Sequence, residues 1–411
     1  MLSLLSLSAC SGDGGGAAPG DAGVSGVRDA GPVCPTEGGA LQPAPRGDSA
    51  GGVDPMTGQL WVFGGDVGPT VNCRLDAIFR ADTWRFDPVC DRWYEVSSTE
   101  APSARSRAAY AVDPRRRTLY LFGGRFRAGS TGNYTNYNDL WALDFSTGQW
   151  RRVETQGAAP SARSNAAAAF DADGDALYVV GGNTSVSGLT FAPQGDVWRL
   201  SLGDLQWSRV EASGPRPRLF HAAAVQGGAL WIYGGGGANA FTGPFFGDAW
   251  RLDLRGDAGW SEVALSGDVL PLGRRINAGL VPGADQVLVI AGHDDEDLGN
   301  RNDVHGIGAS GAVRLITVGD TLNRRGSGFC SFPPDFAQSD LEAPERRSAF
   351  VIAPDPARQR ALVFGGKTDC GSSSDVWAVS LDTGRWSPVR ATNDGLSCAR
   401  TGRTGCTSLC Q

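Results

Sequence analysis

The 411 residues carry 37 Lys and Arg against 44 Asp and Glu, a formal charge of -7 without any long run of one sign. This excludes the basic surface that a nucleic-acid partner requires. With 59 Gly, 12 Trp and only 2 Met, the composition favours many short strands joined by tight turns and gives helices little to build from.

In chain order, the first feature is a short apolar run from Met1 that ends in small residues before Cys10, the pattern of a processing signal rather than of a core strand. Leu7-Ser8-Ala9-Cys10 resembles the lipobox of bacterial lipoproteins. The resemblance implies a signal peptide over 1–10 and acylation of Cys10, which would hold the protein at the bacterial cell envelope as a periplasmic or cell-surface lipoprotein. Residues 11–42 are mostly Gly, Ala, Asp, Ser and Pro and are expected to form a flexible tether. No later stretch is long and apolar enough to be a spanning helix.

Setting Cys10 aside, the remaining cysteines are Cys34, Cys73, Cys90, Cys330, Cys370, Cys398, Cys406 and Cys410. An even set without paired Cys-x-x-Cys units predicts disulfides in an oxidising compartment rather than a metal site. Cys73 with Cys370, Cys330 with Cys370, and Cys34 with a cysteine of the C-terminal cluster are the pairings considered, and the spacing does not choose among them.

A repeat organises the rest. Doublets recur at Gly64-Gly65, Gly123-Gly124, Gly181-Gly182, Gly234-Gly235 and Gly365-Gly366, with a degenerate copy at Ala291-Gly292. The doublets are preceded by Arg46, Arg105, Arg163 and Arg218, by Arg274 in the fifth copy, and by Arg347. Each is followed by an Asp two residues before an aromatic: Asp82, Asp139, Asp196, Asp248, Asp303 (before His305) and Asp375. A second Trp closes most copies, at Trp93, Trp150, Trp207, Trp260 and Trp386, with Leu315 the expected stand-in in the fifth. A period of about 50–60 residues with four alternating segments per copy predicts an all-β, six-bladed β-propeller with four antiparallel strands per blade. The first segment of each copy is rich in small residues, as in Ala166 to Ala169, and is expected to crowd the axis.

The doublet, the Asp-x-Trp step and the second Trp resemble the kelch family over residues 43–391. Blades are placed at about 43–97, 102–155, 160–212, 215–265, 271–330 and 344–391, with a Cys-rich tail over 392–411. The resemblance implies a binding or scaffold protein. It also brings in copper oxidases of similar fold, which need two His and a Tyr with a Cys-linked Tyr at the axis, whereas of the 3 His of this chain only His221 is expected on an inner strand. The repeated Arg and Asp are expected to tie loop ends together.

Other motifs carry less. Gly47 to Gly51 matches the Gly-x-Ser-x-Gly pattern but lies in an opening strand without the helix that a nucleophile needs. His293, Asp294, Asp295 and Asp297 are a weak metal candidate set, better explained as a solvated acidic loop. No cofactor is expected.

The loops after the doublets hold Phe79, Arg125, Phe126, Arg127, Tyr134, Tyr137, Phe191, Phe241, Phe245 and Phe246, residue types enriched at recognition surfaces. They define the expected ligand face of a monomeric, membrane-tethered, non-enzymatic protein that recognises a protein or a glycan. The alternative is a metal-free carbohydrate-active isomerase or lyase using Arg, Asp and Tyr.

Overall fold

The computed structural model describes Cys34 and residues 41–391, apart from 69–76, 188–189, 241, 257–258, 295–298, 324–336 and 369–370. Contacts divide the chain into residues 1–37 and 38–411; only Cys34 is described in the first unit. In the second, each repeat forms an antiparallel sheet in sequence order. The first sheet is Ala50–Val53, Leu60–Phe63, Thr83–Asp87 and Arg92–Val96. The second is Ala109–Asp113, Thr118–Phe122, Leu140–Asp144 and Gln149–Arg152. The third runs from Ala167–Asp171 to Gln206–Arg209 and the fourth from Ala222–Gln226 to Trp260–Val263. The fifth (Gly279–Pro282, Gln286–Asp294, Asn300–Gly308, Ala312–Thr317) and the sixth (Val351–Asp355, Arg360–Thr368, Gly371–Ser380, Trp386–Arg390) share one larger sheet. Arg347–Ser348 bridges them, pairing with both neighbours.

Closure is visible in a ring of backbone hydrogen bonds. Asp48 N–H donates to the Ala349 carbonyl (2.7 Å), Ala349 to Asn277 (3.4 Å), Asn277 to Phe220 (2.8 Å), Phe220 to Asn165 (3.2 Å), Asn165 to Arg107 (3.0 Å) and Arg107 back to Asp48 (2.9 Å). All six have positive φ, between 53° and 59°. The innermost strands beyond this ring enclose an axial cavity of about 370 Å3 whose walls include Gly51, Ala109, Ala167, Ala222 and Gly279. Only small side chains let six strands approach one axis this closely, which is why the opening segments are rich in Ala and Gly.

The repeat's marks each meet a need of this closed arrangement. Both residues of every doublet have positive φ, and a Cβ on the first would lie 2.5–2.8 Å from the Arg carbonyl of the next blade at Gly64, Gly123, Gly181, Gly234 and Gly365. The second glycine's N–H donates to that same carbonyl, as Gly65 does to Arg105 and, at the ring closure, Gly366 to Arg46. Glycine therefore serves both conformation and close approach. The fifth copy retains the geometry with Ala291 at φ 52°.

Each repeated Arg is buried and pairs bidentately with the Asp of its own blade; the shorter contacts are 2.6–2.8 Å. Its Nη1 also donates to the carbonyl of the first doublet residue, as Arg105 does to Gly123 (3.0 Å). In the fifth copy the pairing residue is Arg275, not the Arg274 expected from the repeat spacing, because the short helix Val269–Leu272 shifts the start by one residue. In five copies the Trp two residues on donates Nε1 to the same carboxylate at 2.7–2.9 Å. His305 takes that place in the fifth, with Nδ1 at 3.7 Å from Asp303, and burial pulls its imidazole down to about 4.

The second Trp of a copy packs back onto the preceding blade: Trp150 on Phe63, Trp207 on Phe122 and, across the seam between the last blade and the first, Trp93 on Phe364. Leu315 is not the fifth copy's counterpart. The register pairs Ile307 with Val313, equivalent to Leu143 with Trp150, so Val313 holds the position. The space around this small side chain is filled by the helix Val269–Leu272, whose Leu272 is fully buried in the same cluster.

The acidic-loop expectation is also corrected. His293 and Asp294 continue the strand Gln286–Asp294, because pairing with Asn300–Gly308 runs on past the doublet, and both are buried. Asp294 pairs with Arg301 (3.2 Å) and His293 Nδ1 lies 3.3 Å from Asn300 Oδ1. Asp295 and Asp297 lie outside the described residues, as do Cys10, Cys73, Cys330, Cys370, Cys398, Cys406 and Cys410. Cys34 and Cys90 are each disulfide-bonded.

Candidate functional site

The six residues of the hydrogen-bonded ring sit two positions after the repeat's Arg, just where the chain turns into the innermost strand. The residue before each pairs with the one that follows a doublet, as Gly47 with Asp66, Ser106 with Arg125, Ser164 with Asn183 and Leu219 with Gly236. The variable loops therefore rise beside the ring and share one end of the axis with it. Arg107, Phe220 and Ala349 hold a left-handed conformation that costs such side chains energy, a kind of strain concentrated at functional positions.

Two of the ring's side chains, Asp48 and Arg107, form a charged floor with Asp66 and Lys367 beside them. Asp48 Oδ2 meets Arg107 Nε at 3.2 Å and Lys367 Nζ at 2.8 Å, and Lys367 also approaches Asp66 (3.4 Å). Burial opposes ionisation of Asp48, but Arg107 and Lys367 outweigh it and hold its carboxyl far below the usual range. Asp66 further accepts backbone N–H bonds from Gly68 and Ile78. Arg107 reaches past the third blade to lie over the Phe220 ring, 5.0 Å from its centroid. Arg125 is buried, stacks on Tyr134 at 3.9 Å, and has no hydrogen-bond partner for its Nε.

The structure divides the ten predicted face residues into groups. Phe79 packs against Phe126 and Tyr134 (5.9 and 6.2 Å), joining the loops of the first two blades, while Arg125 and Arg127 flank Tyr134. Phe191 packs on Phe220 (5.7 Å), in a cluster with Phe245, Leu219 and Ile276 that spans the third to fifth blades. Tyr137 and Phe246 instead stack on the repeat's Arg105 and Arg218. Phe241 lies outside the described residues. Asp48, Asp66, Arg107, Phe220 and Lys367 were missed; inspecting the position two after each repeat Arg would have found three of them.

Other motifs resolve as structure. Ser49 is buried and donates to the Gly64 carbonyl (3.0 Å), so Gly47 to Gly51 holds no nucleophile. His221 is buried against Gly181, and burial pulls it down to about 3, leaving a neutral ring. Among the described residues, no three His, Cys, Asp or Glu side chains converge to hold a metal ion.

An all-β ring of repeated four-stranded sheets, with its variable loops gathered at one end of the axis, defines a propeller class of binding fold. Residues 35–235 and 116–307 match the KLHDC2/KLHL20/DRC7 Kelch-repeats domain, and the chain belongs to this kelch-repeat family. It is 27% identical over 190 residues to Kelch domain-containing protein 10 of Homo sapiens, which covers 44% of this chain and 38% of that protein. It is 33% identical over 153 residues to Acyl-CoA-binding domain-containing protein 4 of Arabidopsis thaliana, covering 37% of this chain and 21% of that protein. The chain thus matches well under half the length of these relatives. The solved structure of YjhT shares the fold, with a TM-score of 0.59 at 14% identity over 84% of this chain and 98% of that one.

Proposed function

We propose that the protein is a non-enzymatic scaffold that recognises a partner protein through the loop end of its propeller, held outside the cytoplasm by a lipid on Cys10. The observation that carries the recognition is the gathering of Arg107, Arg125, Lys367 and two aromatic clusters at that end of the axis, while the remainder of the repeat is committed to structure. Such a mixture of buried and half-buried rings with arginine suits protein recognition. Catalysis is disfavoured by the same floor, because a carboxylate held as low as Asp48 is a poor general base. The kelch relatives support the scaffold reading, and the glycan alternative has no observation of its own. The disulfide bonding of Cys34 and Cys90 supports an oxidising compartment.

Two outcomes are expected. In affinity capture followed by mass spectrometry, Phe126→Ala with Tyr134→Ala should lose the partner. Arg115→Ala, on an exposed turn at the opposite end of the second blade's strands, should keep it. Retention by the double variant would dismiss the loop end as the recognition surface. Cell fractionation should find the protein with membranes and Cys10→Ser in the soluble fraction; identical partitioning would remove the anchor.

A further inference from the structure

The axial cavity of about 370 Å3 is separate from the loop end. None of the six ring residues lines it; its wall begins one residue further on, at Ala108, Ala166 and His221. From there it runs to the turns between first and second strands, at Pro55, Pro114 and Pro356, so its mouth lies at the end of the axis away from the loops. No side chain that lines it is charged, and only Tyr110 and His221 are polar. Both ring nitrogens of His221 are sealed from solvent, so they do not face the cavity. Tyr110 differs. From the innermost strand of the second blade it reaches past the first blade to the sixth, where its hydroxyl oxygen accepts the Ile352 N–H at 3.3 Å. The first blade leaves room for this because its innermost strand has Gly51 and Gly52. A Cβ on Gly51 would lie 2.6 Å from Val351 of the sixth blade, and one on Gly52 would collide with Val112 of the second. Ile352 belongs to a strand paired on one side only, so this bond satisfies an edge N–H that faces the axis. The hydroxyl proton of Tyr110 has no acceptor among the described residues. Burial pushes that hydroxyl up to about 12, so it remains a donor at neutral pH.

We propose that the axial cavity binds an uncharged, mostly apolar carbonyl compound, whose oxygen accepts a hydrogen bond from Tyr110 while its body rests on the Ala, Val and Pro walls. This is independent of the loop-end reading, because the two regions share no residue of the ring. The volume lies in the range of small-molecule sites, about 300–1,000 Å3. A charged ligand is excluded by a wall that offers no counter-ion, since burying an unpaired charge is costly. Water fills such a space poorly, because the walls are apolar and give it few partners. An oxygen acceptor is selected because the Tyr110 oxygen already takes the Ile352 N–H, which leaves the proton as the group the hydroxyl still has to place. A hydrocarbon of the same shape would fill the walls and leave that proton unbonded.

The test uses the full chain and three probes in equilibrium dialysis: benzophenone, its carbonyl-free analogue diphenylmethane, and the anion 4-benzoylbenzoate. Benzophenone should bind, and each of the other two should be weaker by about tenfold. Tyr110→Phe should abolish the preference for benzophenone over diphenylmethane while both still bind. Benzophenone also reports its own position, because on irradiation its carbonyl oxygen takes a hydrogen from a nearby C–H and the two carbons then join. Mass spectrometry of the digested wild type should find the label on the innermost strands Ala109–Asp113 or Val351–Asp355, beside Tyr110 and Ile352. The proposal is overturned if benzophenone does not bind, if diphenylmethane or the anion binds as well, if Tyr110→Phe keeps the preference, or if the label appears only outside the cavity. Should Tyr110→Phe fail to fold, the wild-type preference and the labelled position decide the matter by themselves.

Discussion

Arg105→Ala should cost about 3–5 kcal/mol of folding stability, the usual consequence of removing one member of a buried ion pair. Arg105 is 2% exposed and holds Asp139 through two contacts, of 2.6 and 3.0 Å, while also binding the Gly123 carbonyl. Its loss leaves Asp139 with the Trp141 donor at 2.8 Å and its own backbone N–H, and leaves the Gly123 carbonyl without its guanidinium. Arg105→Lys keeps the charge but not the two-pronged geometry, so its loss should fall between wild type and alanine. Denaturant titration of the three proteins checks the order. Equal stability of Arg105→Ala and wild type would show that the repeated pair is ornamental.

The same pair sets the behaviour in acid. Burial works against ionisation of Asp139, but the hydrogen bond and charge of Arg105 outweigh it and hold the carboxyl below its ordinary value of 3.8. The carboxyls of Asp82, Asp196, Asp248, Asp303 and Asp375 are lowered in the same way. A carboxyl lowered by folding contributes stability above its unfolded value, and loses it as pH falls through the folded value. The wild type should therefore weaken as pH falls from about 4 towards 2. In Arg105→Ala, burial is no longer outweighed at Asp139, so that carboxyl accepts a proton more readily and the gap to wild type should narrow in acid. A gap that stays constant from neutral pH to pH 2 would contradict this assignment of the charge.

The residues that hold the propeller together were readable because each copy repeats the same constraint. A doublet that must pass the next blade's Arg carbonyl, a guanidinium that needs its carboxylate and a ring that fills the wedge between blades all leave the same residue types at the same spacing. The floor of the loop end leaves no such trace. Its six ring positions share a backbone conformation but carry Asp48, Arg107, Asn165, Phe220, Asn277 and Ala349, and identity varies where conformation does not. Lys367 was hidden for another reason: it reaches Asp48 only because the sixth blade returns beside the first, a contact created by closure rather than by local sequence. Tyr137 and Phe246 stack on structural arginines, and an aromatic so placed looks the same in sequence as one that does not. Val313 was missed because the extra turn Val269–Leu272, not a large side chain, fills the space.

Trp93→Ala should be about as costly as the arginine change, about 3–5 kcal/mol for a large buried ring, but its effect should appear in a particular place. Trp93 is 4% exposed and packs on Phe86 (5.1 Å) and, across the seam, on Phe364 (5.0 Å). One core cluster there contains residues of the first and last blades together. The chain passes directly between neighbouring blades elsewhere, whereas these two blades are brought together from opposite ends of the repeat array. Their backbones meet through Gly366 to Arg46 and Asp48 to Ala349, and Gly51 leaves so little room that a Cβ there would lie 2.6 Å from Val351. Emptying this cluster should loosen the sixth blade before the others, so limited proteolysis of Trp93→Ala should cut first within residues 344–391. Trp207→Ala removes the equivalent ring between the second and third blades, with comparable burial and the same edge contact to a Phe. It should lower stability by a similar amount without that early cleavage. If both variants are cut at the same sites in the same order, the seam is no weaker than the other blade interfaces, and the ring's closure does not depend on Trp93.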